Sequence, residues 1–324
     1  MKAICVFSGG LDSMLSAQII RSQGIEVIGV FFKTPFFTPE KAIKFSQLIN
    51  LPLKIVDITE DHLKVVKSPK YGYGENMNPC IDCHALMFKY ARELMEQEGA
   101  SFVISGEVLG QRPMSQNRKA LYIIAEESGL GRLLLRPLSA KRLPITIPEE
   151  KGWVKRELLL GIHGRSRKPQ IELAKKYGIV DFPSPAGGCL LTEKNFSKRL
   201  KDLIELKEDF DVRDIELLKL GRHFRVDKHT KIIVGRNKRE NQKLKELRNS
   251  EELLLEPKQT SGPVVLLSGN KTEENIRLAL DITATYSDAR SGQQLEIVVC
   301  FPSYTKILKG KAHEKRAFHG LLVN

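Results

Sequence analysis

Short apolar segments alternate with amphipathic segments along the first half of the chain. The pattern predicts strands at 2–7, 26–32, 53–58 and 101–105, separated by helices at 12–23, 39–49 and 84–98. Strands and helices in alternation form parallel sheets covered on both faces, so this half is predicted to be a doubly wound α/β domain. The Gly-, Pro- and Asn-rich stretch 67–80 is predicted to be a loop near the active site, and helices at about 149–160 and 169–177 complete this half.

The pattern changes after residue 192. Residues 196–219 are highly charged with apolar positions at helical spacing, and 221–226 with 231–237 indicate a hairpin. A strand at 263–268, a helix at 272–283, a strand at 295–301 and a basic tail follow. We therefore expect two domains, 1–192 and 196–324, the second a smaller α+β domain.

Composition and charge narrow the class of protein. The 324 residues, 41% hydrophobic and 28% charged, are typical of a soluble two-domain protein, and no apolar run approaches the roughly 20 residues that span a bilayer. A cytoplasmic, thiol-reducing location without membrane contact is expected. The net charge of +13 is concentrated at 219–248 (+8) and 132–168 (+7), which favours a polyanionic partner over two merely solvated faces.

The five cysteines fall into two groups. Cys5 and Cys300 lie inside apolar runs and are predicted to be small core residues on buried strands. Cys80 and Cys83 form a C-x-x-C pair after Asn78-Pro79, and Cys189 follows two glycines. Turn contexts of this kind expose thiols, so these three are candidate ligands or nucleophiles.

The strongest motif directly follows the first strand and opens the first helix. It comprises Ser8, Gly9, Gly10, Leu11, Asp12 and Ser13. A helix N-terminus with flanking glycines and hydroxyls binds phosphate through free backbone N–H groups. Asp12 suits such an anion site only if Mg²⁺ lies between its carboxylate and the phosphates.

This S-G-G-x-D-S segment resembles the signature of the PP-loop ATP pyrophosphatases. The resemblance implies an adenine nucleotide alpha hydrolase-like, Rossmann-like fold. It also implies that ATP is cleaved between its α and β phosphates while a carbonyl oxygen is adenylated, with Asp12 as a catalytic residue.

Further segments are similar to the tRNA thiolation enzymes within that family. The run from Gly106 to Gln111, with Ser115-Gln116 after it, resembles the G-E-x-x-G-Q…S-Q segment of tRNA 4-thiouridine synthetases. Leu135-Arg136-Pro137-Leu138 resembles the L-R-P-L segment of the same enzymes. The N-P-C-x-x-C segment is similar to that of the 2-thiouridylases. The resemblance implies that Gly106 and Gln111 contact the nucleotide. The family's THUMP-type RNA domain and rhodanese domain are not expected here.

Three chemical interpretations of Cys80, Cys83 and Cys189 remain open. Three thiolates suit a 4Fe-4S cluster with one iron free to hold hydrosulfide, which is the layout of cluster-dependent relatives. With His84 or Asp82 as a fourth ligand they suit zinc. Without metal, one cysteine carries sulfur as a persulfide and another resolves it.

The C-terminal half resembles the NFACT-R (DUF814-like) RNA-associated domain through Gly221-Arg222-His223-Phe224-Arg225, the segment 233–237 and Glu240-Asn241. This segment coincides with the +8 cluster, and phosphate contacts are expected from its basic residues: Arg222, His223, Arg225, Lys231, Arg236, Lys238 and Arg239. Phe224 is predicted either to stack on a base or to lie in the core.

The sequence therefore predicts an ATP-dependent tRNA sulfurtransferase that acts on a flipped-out uridine, with cysteines 80, 83 and 189 as catalytic residues. The sulfur donor, sulfide or a persulfide-carrying protein, and the choice between C2 and C4 stay open, and a homodimer is conceivable. One alternative is a PP-loop enzyme that adenylates a small or nucleobase substrate, with structural zinc at the cysteines. Another is an RNA-binding adaptor, against which the intact loop 8–13 argues.

Overall fold

The chain divides into two units, Met1–Thr192 and Glu193–Asn324. The computed structural model describes residues 1–184 and 189–323. The glycine-rich turn predicted just before Cys189 falls on residues 185–188 and lies outside the described residues. Within the described part, no helix is long and apolar enough to cross a membrane.

The first unit is built on a five-stranded parallel sheet with the order β3-β2-β1-β4-β5. Its strands are β1 (Lys2–Val6), β2 (Glu26–Lys33), β3 (Leu53–Asp57), β4 (Phe102–Ser105) and β5 (Leu134–Leu135). The strand order reverses at β1, which pairs with β2 on one side and β4 on the other. Ligands of such sheets bind outside the carboxyl ends of the strands at this switch point.

Helices cover both faces of this sheet. They are α1 (Leu11–Arg21), α2 (Glu40–Leu48), α3 (Thr59–Lys67), α4 (Cys80–Gln97), α5 (Arg118–Glu127), α6 (Ile147–Glu150) and α7 (Lys168–Lys176). Along β1, Ala3 and Cys5 join a core cluster with Met14 of α1, whereas Ile4 joins another with Phe88 of α4. Alternate side chains of a strand point to opposite faces, so both faces are buried and the predicted doubly wound α/β fold is confirmed.

Two helices of this unit were not predicted, and one prediction was wrong. The sequence pattern predicts no helix for the segments that form α3 and α5. The helix expected at about 149–160 is only the four-residue α6. A capping box between Thr146 and Glu149 starts α6, and Gly152, at φ +68°, takes the left-handed conformation that ends it. The loop at 67–80 is confirmed between the end of α3 and the start of α4.

The second unit contains a six-stranded antiparallel sheet with the order β11-β10-β8-β9-β7-β6. Its strands are β6 (Arg222–Arg225), β7 (Lys231–Val234), β8 (Leu253–Pro257), β9 (Val265–Ser268), β10 (Gln294–Cys300) and β11 (Thr305–Lys311). Its helices are α8 (Lys194–Leu206), α9 (Val212–Leu218), α10 (Lys238–Leu247) and α11 (Glu273–Thr285). The predicted second α+β domain type is confirmed.

The end of the chain departs from the sequence analysis. Residues after 301 do not form a simple basic tail, because β11 pairs along its whole length with β10. At the other edge of the sheet, Val323 donates its backbone N–H to the carbonyl of His223 in β6. Cys300 on β10 is half-buried, whereas Cys5 is fully buried as predicted.

Candidate active site

The segment between β1 and α1 forms a tight glycine turn at the switch point of the sheet. Gly9 has φ +73°, and a Cβ atom there would lie 2.8 Å from the backbone of Lys41 and Ala42, so only glycine fits. Ser13 donates its hydroxyl to the carbonyl of Gly10 at 2.8 Å. Gly10 is the N-cap of α1 and has no side chain to bind the first-turn N–H groups, which leaves these donors for an anion.

Asp12 in the first turn of α1 has one carboxylate oxygen satisfied and one unsatisfied. Its Oδ2 accepts a hydrogen bond from Gln111 Nε2 at 2.8 Å, whereas its buried Oδ1 has no partner among the residues described. Burial raises the pKa of Asp12, and the hydrogen bond from Gln111 and the charges of Arg167 and Arg112 oppose the rise. A buried carboxylate oxygen without a donor suits a cation, so Asp12 fits a Mg²⁺ ligand.

Two further side chains hold Asp12 in place. Gln111 accepts at its Oε1 from Nε2 of Gln170, a fully buried residue in the first turn of α7, at 3.1 Å. A carboxylate only accepts, so Gln111 must turn its NH₂ towards Asp12 and its carbonyl towards Gln170. Gln170 gave no signal in the sequence, because it lies 59 residues from Gln111.

The segment after β4 packs directly on the nucleotide loop. A Cβ atom at Gly106 would lie 2.6 Å from the backbone nitrogen of Ser13, so glycine permits this close approach. Glu107 is buried and accepts hydrogen bonds from His84 Nδ1 and Arg136 Nε, both at 2.8 Å. Burial acts to raise the pKa of Glu107, but the charge of Arg136 and the bond from His84 outweigh it and lower the pKa to about 2. The G-E and L-R-P-L segments thus meet in one ion pair.

The three candidate cysteines share one neighbourhood. Cys80 and Cys83 lie in the first turn of α4, and Cys80 Sγ accepts from Asn78 Nδ2 at 3.1 Å. Burial raises the pKa of Cys83 well above its ordinary value, and the thiols of Cys189 and Cys80 raise it further. Burial also raises the pKa of Cys189 to about 11, and Cys80 adds to this rise. The three thiols are therefore within electrostatic range of one another.

The residues considered as a fourth zinc ligand have other partners. Asp82 accepts from the backbone N–H groups of Lys70 and Tyr71, at 2.8 and 3.1 Å, and His84 binds Glu107. Within 1–184 and 189–323, no three His, Cys, Asp or Glu side chains converge on one metal-ion position.

His62 on α3 is a neighbour of the cysteines that the sequence did not indicate. Its Nε2 lies 3.2 Å from Cys83 Sγ, and its ring is fully buried beside those of Phe36 and Phe37. Burial lowers the pKa of His62 to about 4. A neutral imidazole therefore contacts the Cys83 thiol near neutral pH.

The basic residues predicted to bind RNA lie in different environments in the second unit. His223 is buried and its Nε2 lies 2.8 Å from the carbonyl oxygen of Leu220, so its side chain is not at the surface. Phe224 is fully buried in the core, which decides against base stacking. Arg222 lies over the ring of Tyr286, and Arg225 forms two hydrogen bonds with Asp202, at 2.9 and 2.7 Å.

The exposed part of the predicted RNA surface lies at the start of α10. Arg236 is exposed but forms an ion pair with Glu240. Lys238 and Arg239 are exposed and form no ion pair with any residue that the structure describes. These last two cations are therefore free to bind phosphate groups.

In the comparison with known proteins, a family model matches part of each unit. Residues 1–142 match the family model of the thiamine biosynthesis protein ThiI, and residues 221–317 match that of the NFACT protein RNA binding domain. A tRNA-specific 2-thiouridylase (MnmA) of Karelsulcia muelleri is 29% identical over 64% of this chain and 55% of its own length. The MnmA of Listeria monocytogenes is 23% identical over 69% of this chain and 61% of its own.

A solved 4-thiouridine synthetase, in complex with RNA and ATP, is 19% identical, covers 67% of this chain and 52% of its own, and has a TM-score of 0.38. The chain spans between 55% and 61% of the two curated relatives named above. The loop geometry and the two family models agree: residues 1–142 are similar to the ThiI family, and residues 221–317 are similar to the NFACT RNA-binding domain.

Proposed function

We propose that this chain is an ATP-dependent tRNA sulfurtransferase that replaces a uridine carbonyl oxygen with sulfur held at Cys80, Cys83 and Cys189. The observation that carries the proposal is that the segment 111–114 contacts both sites. Gln111 donates to Asp12 at 2.8 Å, and Met114 Sδ lies 3.6 Å from Asn78 Nδ2, which also donates to Cys80 Sγ. Burial raises the pKa values of both Asp12 and Cys189, and the charge of Arg112 opposes the rise in each. One guanidinium is thus within electrostatic reach of the proposed ATP and sulfur sites.

The first step is adenylation. Backbone N–H groups at the start of α1 and the hydroxyl of Ser8 would bind the phosphates, and Ser13 would hold the turn through its bond to the Gly10 carbonyl. Asp12 would hold Mg²⁺ through its free Oδ1. The carbonyl oxygen of a flipped-out uridine attacks the α-phosphorus, the bond to the bridging oxygen breaks and pyrophosphate leaves. Positioning and charge neutralisation supply most of the catalysis in such a transfer.

The second step is sulfur transfer. A hydrosulfide at the cysteine site attacks the activated carbon, and AMP leaves with the former carbonyl oxygen. Three thiols within electrostatic range of one another, one short of the four ligands that structural zinc takes, support a 4Fe-4S cluster as the group they would bind. Cys80, Cys83 and Cys189 would hold this cluster, which would supply an open iron coordination position for sulfide.

The second unit is proposed to bind the tRNA. Its match to an RNA-binding family and the free cations Lys238 and Arg239 support this role. Phosphate contacts of this kind hold the RNA without reading its sequence. The choice of uridine then depends on the nucleotides that reach the first unit.

Single alanine variants of Cys80, Cys83 and Cys189 test the proposal, with Cys300→Ala as the matched control. Thiolation of tRNA is measured by nucleoside mass spectrometry after incubation with ATP, Mg²⁺ and sulfide under anaerobic conditions. Each of the three variants should lose thiolation while Cys300→Ala retains it. Full activity in all three variants would rule the mechanism out.

Metal analysis of anaerobically purified protein tests the group at the cysteines. Broad absorbance at about 400 nm, with stoichiometric iron and sulfide, is expected for the cluster. Colourless protein with one zinc per chain would contradict the cluster and favour an enzyme that adenylates a different substrate. Pyrophosphate release stimulated by tRNA, measured in the same preparation, distinguishes either enzyme from an RNA-binding adaptor.

A further inference from the structure

A cavity of about 400 Å³ lies within the second unit, and the exposed cations of α10 are not among its lining residues. Apolar side chains from α8, α9 and β7 line part of it, among them Leu203, Leu217 and Ile233. Basic side chains line the rest. This volume and this mixture of apolar and polar lining are typical of small-ligand sites.

The cavity carries more positive than negative charge. Six cations line it: Lys207, Arg213, Arg225, Lys228, Lys231 and Lys271. Four carboxylates pair with five of them, namely Asp202, Asp214, Glu251 and Glu252. Lys228 is exposed and forms no ion pair in the described part of the chain. The excess of two positive charges suits one phosphate group.

A buried imidazole adds a second, independent requirement on the ligand. His223 lines the cavity with about 1% of its surface exposed. Its Nε2 lies 2.8 Å from the carbonyl of Leu220, and a carbonyl only accepts, so this nitrogen carries the proton. Its Nδ1 is left as a buried acceptor with no donor among the described residues. Burial, with the charges of Lys231 and Arg199, holds the pKa of His223 well below its ordinary value, so the ring is neutral.

These two requirements exclude simple anions. Inorganic phosphate or an acidic side chain would match the positive charge but would bring no apolar surface for the leucines. A ribonucleotide has a phosphate, an apolar ring face and several O–H and N–H donors on one small molecule.

We propose that this cavity binds one ribonucleotide, with its phosphate near Lys228, a hydroxyl or amino group donating to Nδ1 of His223, and its ring against Leu203 and Leu217. The inference rests on the proposed function in that it names a docking point for an unpaired nucleotide of the tRNA. A free mononucleotide has the same chemistry, and the experiment separates the two sources.

The full chain is titrated with a fluorescein-labelled ribotrinucleotide, its deoxy counterpart and unlabelled UMP at constant salt. Lys228→Glu is compared with Lys306→Glu, an exposed lysine of β11 with the same charge change outside the cavity. Binding of the ribotrinucleotide should weaken at least about tenfold in Lys228→Glu and less than about twofold in Lys306→Glu. Competition by UMP at equal concentration would identify a free nucleotide as the ligand, and lack of competition an RNA nucleotide.

Equal losses in the two lysine variants, or no loss in either, would overturn the proposal, as would a ribotrinucleotide that does not bind at all. His223→Phe gives a second measurement, since it removes the acceptor but keeps a ring; its binding should fall while its circular dichroism stays that of the parent. The failure of this inference remains distinct from that of the proposed function. If Lys228→Glu retains tRNA thiolation and its oligonucleotide binding is unchanged, only the proposed nucleotide site in the cavity is refuted. If the parent protein binds the ribotrinucleotide in the cavity but does not thiolate tRNA, only the proposed enzymatic function is refuted.

Discussion

Gln170 should control how tightly the chain binds Mg–ATP although it touches neither group. Gln170→Leu removes the donor 3.1 Å from Gln111 Oε1 in a fully buried setting. The carbonyl of Gln111 is then buried without a donor, which costs about 1–3 kcal/mol. Gln111 escapes this cost only by rotating its amide away from Asp12, so that the carboxylate is no longer held at 2.8 Å.

If that cost falls on the nucleotide complex, the affinity for Mg–ATP drops by about 10- to 100-fold, because about 1.4 kcal/mol corresponds to a factor of ten. Isothermal titration with ATP over a range of Mg²⁺ concentrations measures it, and Gln47→Leu on the exposed face of α2 is the control. A larger loss at low Mg²⁺ than at saturating Mg²⁺ is expected, since Asp12 is the proposed ligand. A variant with reduced melting temperature but the affinity of the parent at every Mg²⁺ concentration would refute the positioning role.

Three further outcomes follow from the contacts. Glu107→Gln should lower the free energy of unfolding at pH 7 by about 3 kcal/mol, because Arg136 remains buried without its partner. The folded pKa of Glu107 is about 2 against an ordinary 4.5, so the parent loses this stabilisation as pH falls from 4.5 towards 2. Denaturant titrations at pH 7 and pH 3 should therefore give a smaller difference at pH 3, and an equal difference would contradict the ion pair. Gly106→Ala should weaken ATP binding at least about tenfold, since the new methyl group would lie 2.6 Å from Ser13 nitrogen; unchanged affinity in a calorimetric titration would contradict this packing. Lys238→Glu should weaken tRNA binding and lower the slope of log K against log salt by about 1, and an unchanged slope in a filter-binding series would remove Lys238 from the RNA surface.

The sequence predicts those parts of the site whose residues are close together along the chain. The loop 8–13 combines a strand end, glycines and a helix start in six consecutive residues, so its position at the switch point follows from the order of elements alone. The proximity of Cys80 to Cys83 likewise follows from their spacing in the sequence, although the structure places both in the first turn of α4 and not in the turn that the sequence predicts.

The sequence does not predict contacts between segments that lie far apart along the chain. The bond between Gln170 and Gln111, the approach of His62 to Cys83 and the burial of His223 depend on which helix packs on which strand. The sequence does not show whether a histidine in a basic hairpin is buried. It therefore predicted an exposed phosphate contact at His223, whereas the ring lies buried at the wall of the cavity. The prediction of a helix at 149–160 was wrong because a single glycine, Gly152, ends α6 after four residues.

The outer edge of β11 has a consequence for how the protein behaves in concentrated solution. An unpaired edge strand offers its backbone groups to a strand of another molecule, which is a common start of aggregation. At the opposite edge Val323 binds β6, but β11 is the last strand on its side. Lys306, Lys309 and Lys311 lie along it, so a second copy added there would bring lysines against lysines. Repulsion between these lysines therefore opposes edge-to-edge pairing of two copies, and this opposition weakens as salt screens the lysines.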